Sequence, residues 1–358
     1  MTTRKLRKLG ALAAAALTIV GTSGAKTPGF VSVDRPAAVT ESADVLFREA
    51  MKAPKRVSFV GELSTIRWGT TGAVANVSRI EHRAPDQTRR LYLAPQSLYG
   101  DYVVRHGSQS YEFDVNHDRV VSSSNPALNN EPEVRDRAQL LAENYHAVMG
   151  ATEPIAGRSA LTVSLINKYT GVRTMRVWID SKTKLVLGRE MYHADGSLAM
   201  RIRFDDIRYT GKIPDSVFST SVPHGYSAVS GPRYAEPMSG LAVVARVAGF
   251  TLQSPRFLPD GFALVSSAVT TVKGIRSVHL IYSDGLRNIS LFENDRNAAA
   301  DFGTLKPTAT TVEENAAAYV KDGPTTLLSW REHGLAFALV GDLDVSELRQ
   351  IAASVVPD

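Results

Sequence analysis

From Thr40 onward, apolar residues recur at spacings of three and four: Ala43, Leu46, Phe47, Ala50 and Met51 fall on one side, and the run stops at Pro54. That period predicts an amphipathic helix. A β-rich stretch is expected next. Val57, Phe59 and Leu63 alternate, and Leu91-Tyr92-Leu93, Tyr102-Val103-Val104 and Tyr111-Glu112-Phe113 are short apolar runs separated by turn residues. Gly69-Thr70-Thr71-Gly72 reads as a hairpin tip rather than a phosphate cradle. Over 133–149 the period returns to helical, with Val134, Ala138, Leu141, Tyr145 and Val148 on one face. Strands are expected again at Leu161–Ile166, Met175–Ile179, Leu185–Met191 and Leu198–Phe204. Asp195-Gly196 marks a hairpin in which both turn residues take positive φ.

Pattern is lost between Pro223 and Ser239, where Pro, Gly and Ser dominate, so 223–238 reads as a linker. Beyond it, strands are expected near 247–252, 262–271, 276–283 and 287–293, followed by a looser segment. Leu335–Val340 then reads as a strand. Asp344 with Glu347 forms a capping box ahead of Val345, Leu348, Ile351 and Ala352, which predicts a terminal helix. The fold class is therefore α+β: a mostly antiparallel sheet with two helices over 40–222, and a smaller α+β domain over 239–358.

The first 25 residues follow other rules. Arg4, Lys5, Arg7 and Lys8 precede an apolar run from Leu9 to Gly21, and Ser23-Gly24-Ala25 supplies small residues. This reads as a signal peptide cut after Ala25, because the run is too short to span about 30 Å of hydrocarbon. Residues 26–39 read as a lead-in. Removing four cations from a net charge of +5 leaves +1, and no Lys/Arg cluster makes a phosphate footprint, so nucleic acid is not an expected partner. With no cysteine, disulfides, thiol catalysis, cysteine zinc sites and a lipidated cysteine are all excluded. No second apolar stretch reaches membrane-span length, so the mature protein is expected to be exported and soluble.

Candidate chemistry is sparse. The eight histidines show no H-E-x-x-H spacing, and Asn116-His117-Asp118 reads as a polar turn, not a metal site. There is no nucleophile elbow, Walker loop or dinucleotide fingerprint, so no enzyme, metal or cofactor is expected. The sequons at Asn76 and Asn288 lie in expected strands and carry no weight. Asp260-Gly261 and Asp284-Gly285 read as tight-turn corners without a titratable partner on the same loop.

Two blocks nevertheless carry a resemblance. F-L-P-D-G-F at 257–262, Leu280 to Leu286 (L-I-Y-S-D-G-L) and Val340-Gly341-Asp342-Leu343 resemble the C-terminal domain of the MucB/RseB family of periplasmic sigma-factor regulators. The run from Val177 to Leu185 (V-W-I-D-S-K-T-K-L), with Asp195-Gly196 and Phe204, is similar to the family's first domain, which shares the half-barrel of the lipoprotein carriers LolA and LolB. The resemblance spans about Thr40 to Val355, but does not extend to the linker or 294–326. It implies a protein that binds the periplasmic segment of a membrane anti-sigma factor, shields it from proteolysis, and responds to lipid or mislocalised lipoprotein. A half-barrel of this kind would hold acyl chains against Phe59, Leu63, Leu91, Leu93, Tyr102, Val104, Tyr111, Phe113, Leu141 and Tyr145. Arg256, Phe257, Phe262, Tyr282 and Arg287 mix aromatics with arginine near turns of the second domain and are the candidate partner contacts. The alternative is a stand-alone lipid or lipoprotein carrier; the second domain favours the regulator.

Overall fold

The computed structural model describes residues 42–357 apart from 70–71, 125–136, 234–236, 239, 273–274, 297, 299, 301, 303–304 and 323–324. The signal peptide, the lead-in, Val134 and the side chain of Ala138 lie outside the described residues.

Helix α1 (Ala43–Lys52) begins where expected, with the Ser42 hydroxyl accepting from the Val45 amide. It buries Leu46, Phe47 and Ala50, and each large side chain contributes about 2 kcal/mol by leaving water. Eleven antiparallel strands form the first sheet: β1 (Phe59–Gly69), β2 (Gly72–Arg83), β3 (Gln87–Ala94), β4 (Tyr102–His106), β5 (Gln109–Asp114), β6 (Arg119–Ser124), β7 (Tyr145–Ile155), β8 (Arg158–Asn167), β9 (Arg173–Asp180), β10 (Val186–Tyr192) and β11 (Leu198–Tyr209). The chain starts in mid-sheet at β1 and adds neighbours outward to β6. It then crosses through helix α2 (Arg137–Asn144) to the far edge at β7 and fills inward until β11 pairs with β1.

Three expectations change in this region. The helix over 133–149 ends at Asn144, and Tyr145 opens a strand, leaving Val148 half-exposed. Leu141, Tyr145 and Val148 satisfy a helical period while Tyr145, Ala147 and Met149 satisfy a period of two, and pairing with β8 selects the second. At Asp195-Gly196 the connection is longer than a two-residue turn. Only Gly196 has positive φ, the His193 amide bonds Ser197 O, and the Asp195 carboxylate accepts from the Ser197 amide. The stretch read as a linker contains β12 (Ser227–Arg233), paired in parallel with β6. Pairing there needs no apolar side chain, and a Cβ on Gly231 would meet Val121 at 2.8 Å.

Beyond β12 lies a second sheet with its own core. Helix α3 (Leu241–Ala248) runs into the start of the 247–252 stretch where a strand was expected, and 249–252 forms a turn and loop instead; glycines at 240 and 249 bound the helix, and the Gly249 amide bonds Ala245 O. A two-stranded ribbon, β13 (Gln253–Pro255) with β21 (Val355–Pro357), ties the start of this unit to its end. The main strands are β14 (Ala263–Val272), β15 (Ile275–Ser283), β16 (Asn288–Asn294), β17 (Thr308–Val312), β18 (Asn315–Asp322), β19 (Thr325–Glu332) and β20 (Leu335–Gly341), paired in the order β14-β15-β16-β20-β19-β18-β17. The looser segment thus contains β17 and β18, whose Thr and Ala residues carry little apolar alternation. Helix α4 (Val345–Ala353) has the expected capping box. A backbone pairing of Arg233 with Thr271 joins the two sheets edge to edge.

Candidate functional site

Alternation in a strand fixes which residues share a face, and pairing carries that face across the sheet. Phe59, Gly61, Leu63 and Thr65 of β1 share a face with Ile80 and Ser78 of β2, Arg90 and Tyr92 of β3, Ile202 and Phe204 of β11, and Arg189 of β10. The same face continues to Val177 and Met175 of β9 and Val163 and Leu165 of β8, against which α1 packs. Arg90 and Arg189 belong to strands separated by β2, β1 and β11, yet Arg90 acts electrostatically on Arg189. The sheet is therefore curled so that these guanidiniums approach across its inner hollow.

Phe59 and Leu63 lie on this inner face. Leu91, Leu93, Tyr102, Val104, Tyr111 and Phe113 do not: Leu91 pairs with Tyr102, Tyr102 with Phe113 and Val104 with Tyr111, all on the opposite face. There the segment after β11 covers much of the apolar surface with Ile213 and Phe218, and Tyr102 stacks on Phe113 at 4.3 Å. His106 bonds Phe218 O at 2.9 Å. The period grouped these six residues correctly but could not say which side of the sheet encloses the hollow. Leu141 packs with the α1 cluster. Instead of carbon alone, the inner face presents Arg90, Arg105, Glu112 and Arg189 beside Leu63, Ile202 and Phe204. Burial pushes Glu112 up, against the opposing pull of Arg105 and Arg119. Burial, reinforced by the like charge of Arg90, pushes Arg189 down to about 10.

Asn144 and Tyr145 build a second constellation where the two units touch. The Asn144 side-chain amide donates to Gly261 O at 2.8 Å and Asp284 O at 3.0 Å, and its Oδ1 accepts from Tyr169 at 3.1 Å. The Tyr145 hydroxyl donates to Asp284 Oδ2 at 2.6 Å. Asp284 is wholly buried; its carboxylate also accepts from the amides of Leu286 and Arg287 and from Arg287 Nε at 3.0 Å. Burial opposes the Arg287 charge, but Asp284 outweighs it and the net direction is upward. Burial first, and then the Asp284 charge, hold the Tyr145 phenol far above its usual range. Gly261 has φ +85°, and a Cβ there would strike the Asn144 side chain at 2.7 Å. Both Asp-Gly turns are thus corners, and both are gripped by consecutive residues of the first unit.

The candidate partner residues divide. Phe262 and Tyr282 are core residues of the second unit, and Arg287 is held by Asp284 with its guanidinium over the Phe262 ring at 5.3 Å. These three are committed to packing. Arg256 and Phe257 stay exposed, Phe257 by 46%. Their composition gave no way to separate the two groups, because aromatics and arginine serve cores and interfaces alike. Sequence reading missed Val243 and Val247, each 44% exposed on α3, beside a groove of about 630 Å³ lined by Leu241, Ala245, Phe250 and Leu252. Among the described residues no three His, Cys, Asp or Glu side chains group as metal ligands, and none of the described helices is long and apolar enough to cross a membrane. Asn116-His117 forms a short helical turn fastened to Asp101 and Asp114.

The architecture is thus a curled antiparallel sheet with helices, joined at one edge to a second, smaller sheet unit. The model of the MucB/RseB N-terminal domain matches residues 43–222, half of the chain, and the protein belongs to the MucB/RseB family. The complex structure of Pseudomonas aeruginosa MucA/MucB is similar over 88% of this chain and 99% of that one, at 19% identity and a TM-score of 0.60. A crystal structure of MucB in complex with MucA(peri) gives 18% and 0.59 over the same share of this chain, and one of MucB gives 17% and 0.51. At these identities the likeness establishes a shared fold. No curated protein matches the sequence.

Proposed function

We propose that this chain is a periplasmic regulatory binding protein of the envelope-stress response. It holds the periplasmic segment of a single-pass membrane anti-sigma factor, protects that segment from proteolysis, and senses lipid or mislocalised lipoprotein through the hollow of its first domain. Residues 1–25 act as the cleaved export signal, 40–222 as the ligand-bearing domain, 223–238 as the connection and 239–358 as the second domain. The observation that carries this reading is the extent of the likeness: the MucA/MucB complex structure is matched over 88% of this chain and 99% of that one, a span that takes in both sheet units described here. A stand-alone carrier would need only the half-barrel. The exposed Arg256, Phe257, Val243 and Val247 support a partner surface on the second domain, with apolar anchors and arginine in the mixture that interfaces favour.

The test is capture from envelope extract with residues 26–358, with bound proteins and lipids identified by mass spectrometry. The expected result is a single-pass membrane protein with a small cytoplasmic domain, whose periplasmic segment resists added protease when this protein is present. Recovery of assorted lipoproteins or lipid alone would identify a carrier instead.

A further inference from the structure

The hairpin of β1 and β2 runs past both of its neighbours. Pairing with β11 ends at Arg67 with Met200, and pairing with β3 begins at Val77 with Ala94. Beyond these points the two strands pair only with each other, Trp68 with Ala73 and Gly69 with Gly72. No charged residue stands between Arg67 and Arg79. Val74 is 65% exposed, more than any other large apolar side chain among the described residues, and Ala73 and Ala75 are exposed beside it. Single apolar side chains on a surface are ordinary; these are grouped on one projection. Alternation puts Val74 on the face that carries Leu63 and Thr65, and puts Ile66, Trp68, Ala73 and Ala75 on the other. The tip is therefore apolar on both sides. A core or a flat partner covers one side of a sheet, whereas a projection apolar on both sides fits a medium that surrounds it.

We infer that the β1–β2 tip docks on the surface of a lipid bilayer. Ala73, Val74 and Ala75 enter the boundary between headgroups and acyl chains, to a depth of about 5–10 Å. Trp68 at the neck takes the interfacial position that its amphipathic ring favours. Arg67, exposed and paired with Val74, stands at the level of the lipid phosphates, and Arg201, with its guanidinium 5.9 Å from the centre of the Trp68 ring, adds a second cation there. Insertion stops at this depth because, among the described residues, no strand flanks the outer edges of the tip, and hydrocarbon would leave their backbone N–H and C=O groups without partners. So few small apolar side chains bind a membrane weakly. The contact therefore orients a protein already near the bilayer and does not anchor it. It is independent of the inner hollow and of the partner surface on the second domain.

The test is flotation of residues 26–358 with vesicles of phosphatidylethanolamine and phosphatidylglycerol in equal parts, together with tryptophan quenching by dibrominated acyl chains in the same vesicles. Trp178 and Trp330 are buried, so quenching reads Trp68. The parent is expected to float and to be quenched. Val74→Asp should lower the vesicle-bound fraction about tenfold, and Val74→Leu should bind at least as well as the parent. Trp68→Phe should abolish the quenching while flotation stays within about threefold. Val74 is so exposed that neither of its substitutions should move the melting temperature measured without vesicles, which separates lost docking from misfolding. A parent that stays at the bottom of the gradient, or flotation equal in Val74→Asp and the parent, overturns the inference. Quenching without flotation also overturns it, because single lipids would then be entering the protein instead of the protein sitting on their surface.

Discussion

Asp260 and Asp284 show how one residue type in one local motif takes two weights. Asp260 is exposed, and its turn is closed by the backbone, Phe262 N–H to Pro259 O. Asp284 is buried and gathers two backbone amides, an arginine and a tyrosine. Removing one partner of a buried ion pair strands the other, so Asp284→Asn should cost about 3 kcal/mol, whereas Asp260→Asn should stay within about 0.5 kcal/mol. Urea unfolding of the two variants checks the contrast. Equal losses would mean that the turn, and not the junction, sets the cost. Turn chemistry alone would give the two substitutions similar costs, and the burial of Asp284 is what separates them.

At the scale of elements, the β15–β16 pair contains a titration switch of stability. His279 of β15 stacks on Phe292 of β16 with ring centroids 4.1 Å apart, inside the second sheet. Burial holds its imidazole down to about 3, against an ordinary value of 6.5. A depressed histidine is neutral in the fold and takes up a proton in the unfolded chain. Its contribution is complete above pH 6.5 and is lost as pH falls from there toward 3. His82, also lowered by burial, acts in the same direction. Unfolding free energy measured between pH 7.5 and 5 should decline in the parent, and His279→Phe should remove up to about 1.4 kcal/mol per pH unit of that slope. An unchanged slope would exclude His279 as the source.

For the whole molecule, the question is whether two sheet units behave as one body. Among the described residues they share one ladder pairing, Arg233 with Thr271, and the Asn144–Tyr145 grip on two turns of the second unit adds to the coupling, helped by Leu286 packing against the α1 cluster. Asn144→Ala leaves two carbonyls without their donor and a gap beside Gly261. The parent should melt in one calorimetric transition and Asn144→Ala in two, with each unit retaining its own core. A variant that still melts as one unit would show that the edge pairing is sufficient coupling.

Local rules set much of this protein directly from its sequence. The period of α1, the alternation of β8 to β11, the Asp-Gly corners, the Asp344 capping box and the family-like blocks at 177–185 and 257–286 each depend on residues within a few positions of one another. The W-I-D-S-K-T-K-L block is one such case: Asp180 accepts from the amides of Lys182 and Thr183, so the motif is its own turn. Tertiary structure alone decided the rest. It chose the face of the sheet that became the hollow, ended α2 at Asn144, made a strand from the Ser- and Gly-rich 227–233, and turned Asp284 from a corner into a junction. Each choice is made by contacts such as Asn144 with Gly261 and Tyr145 with Asp284, 117 and 139 residues apart. Periodicity carries no information at that separation, because which distant side chain satisfies a buried polar group is settled only when the sheets close on each other.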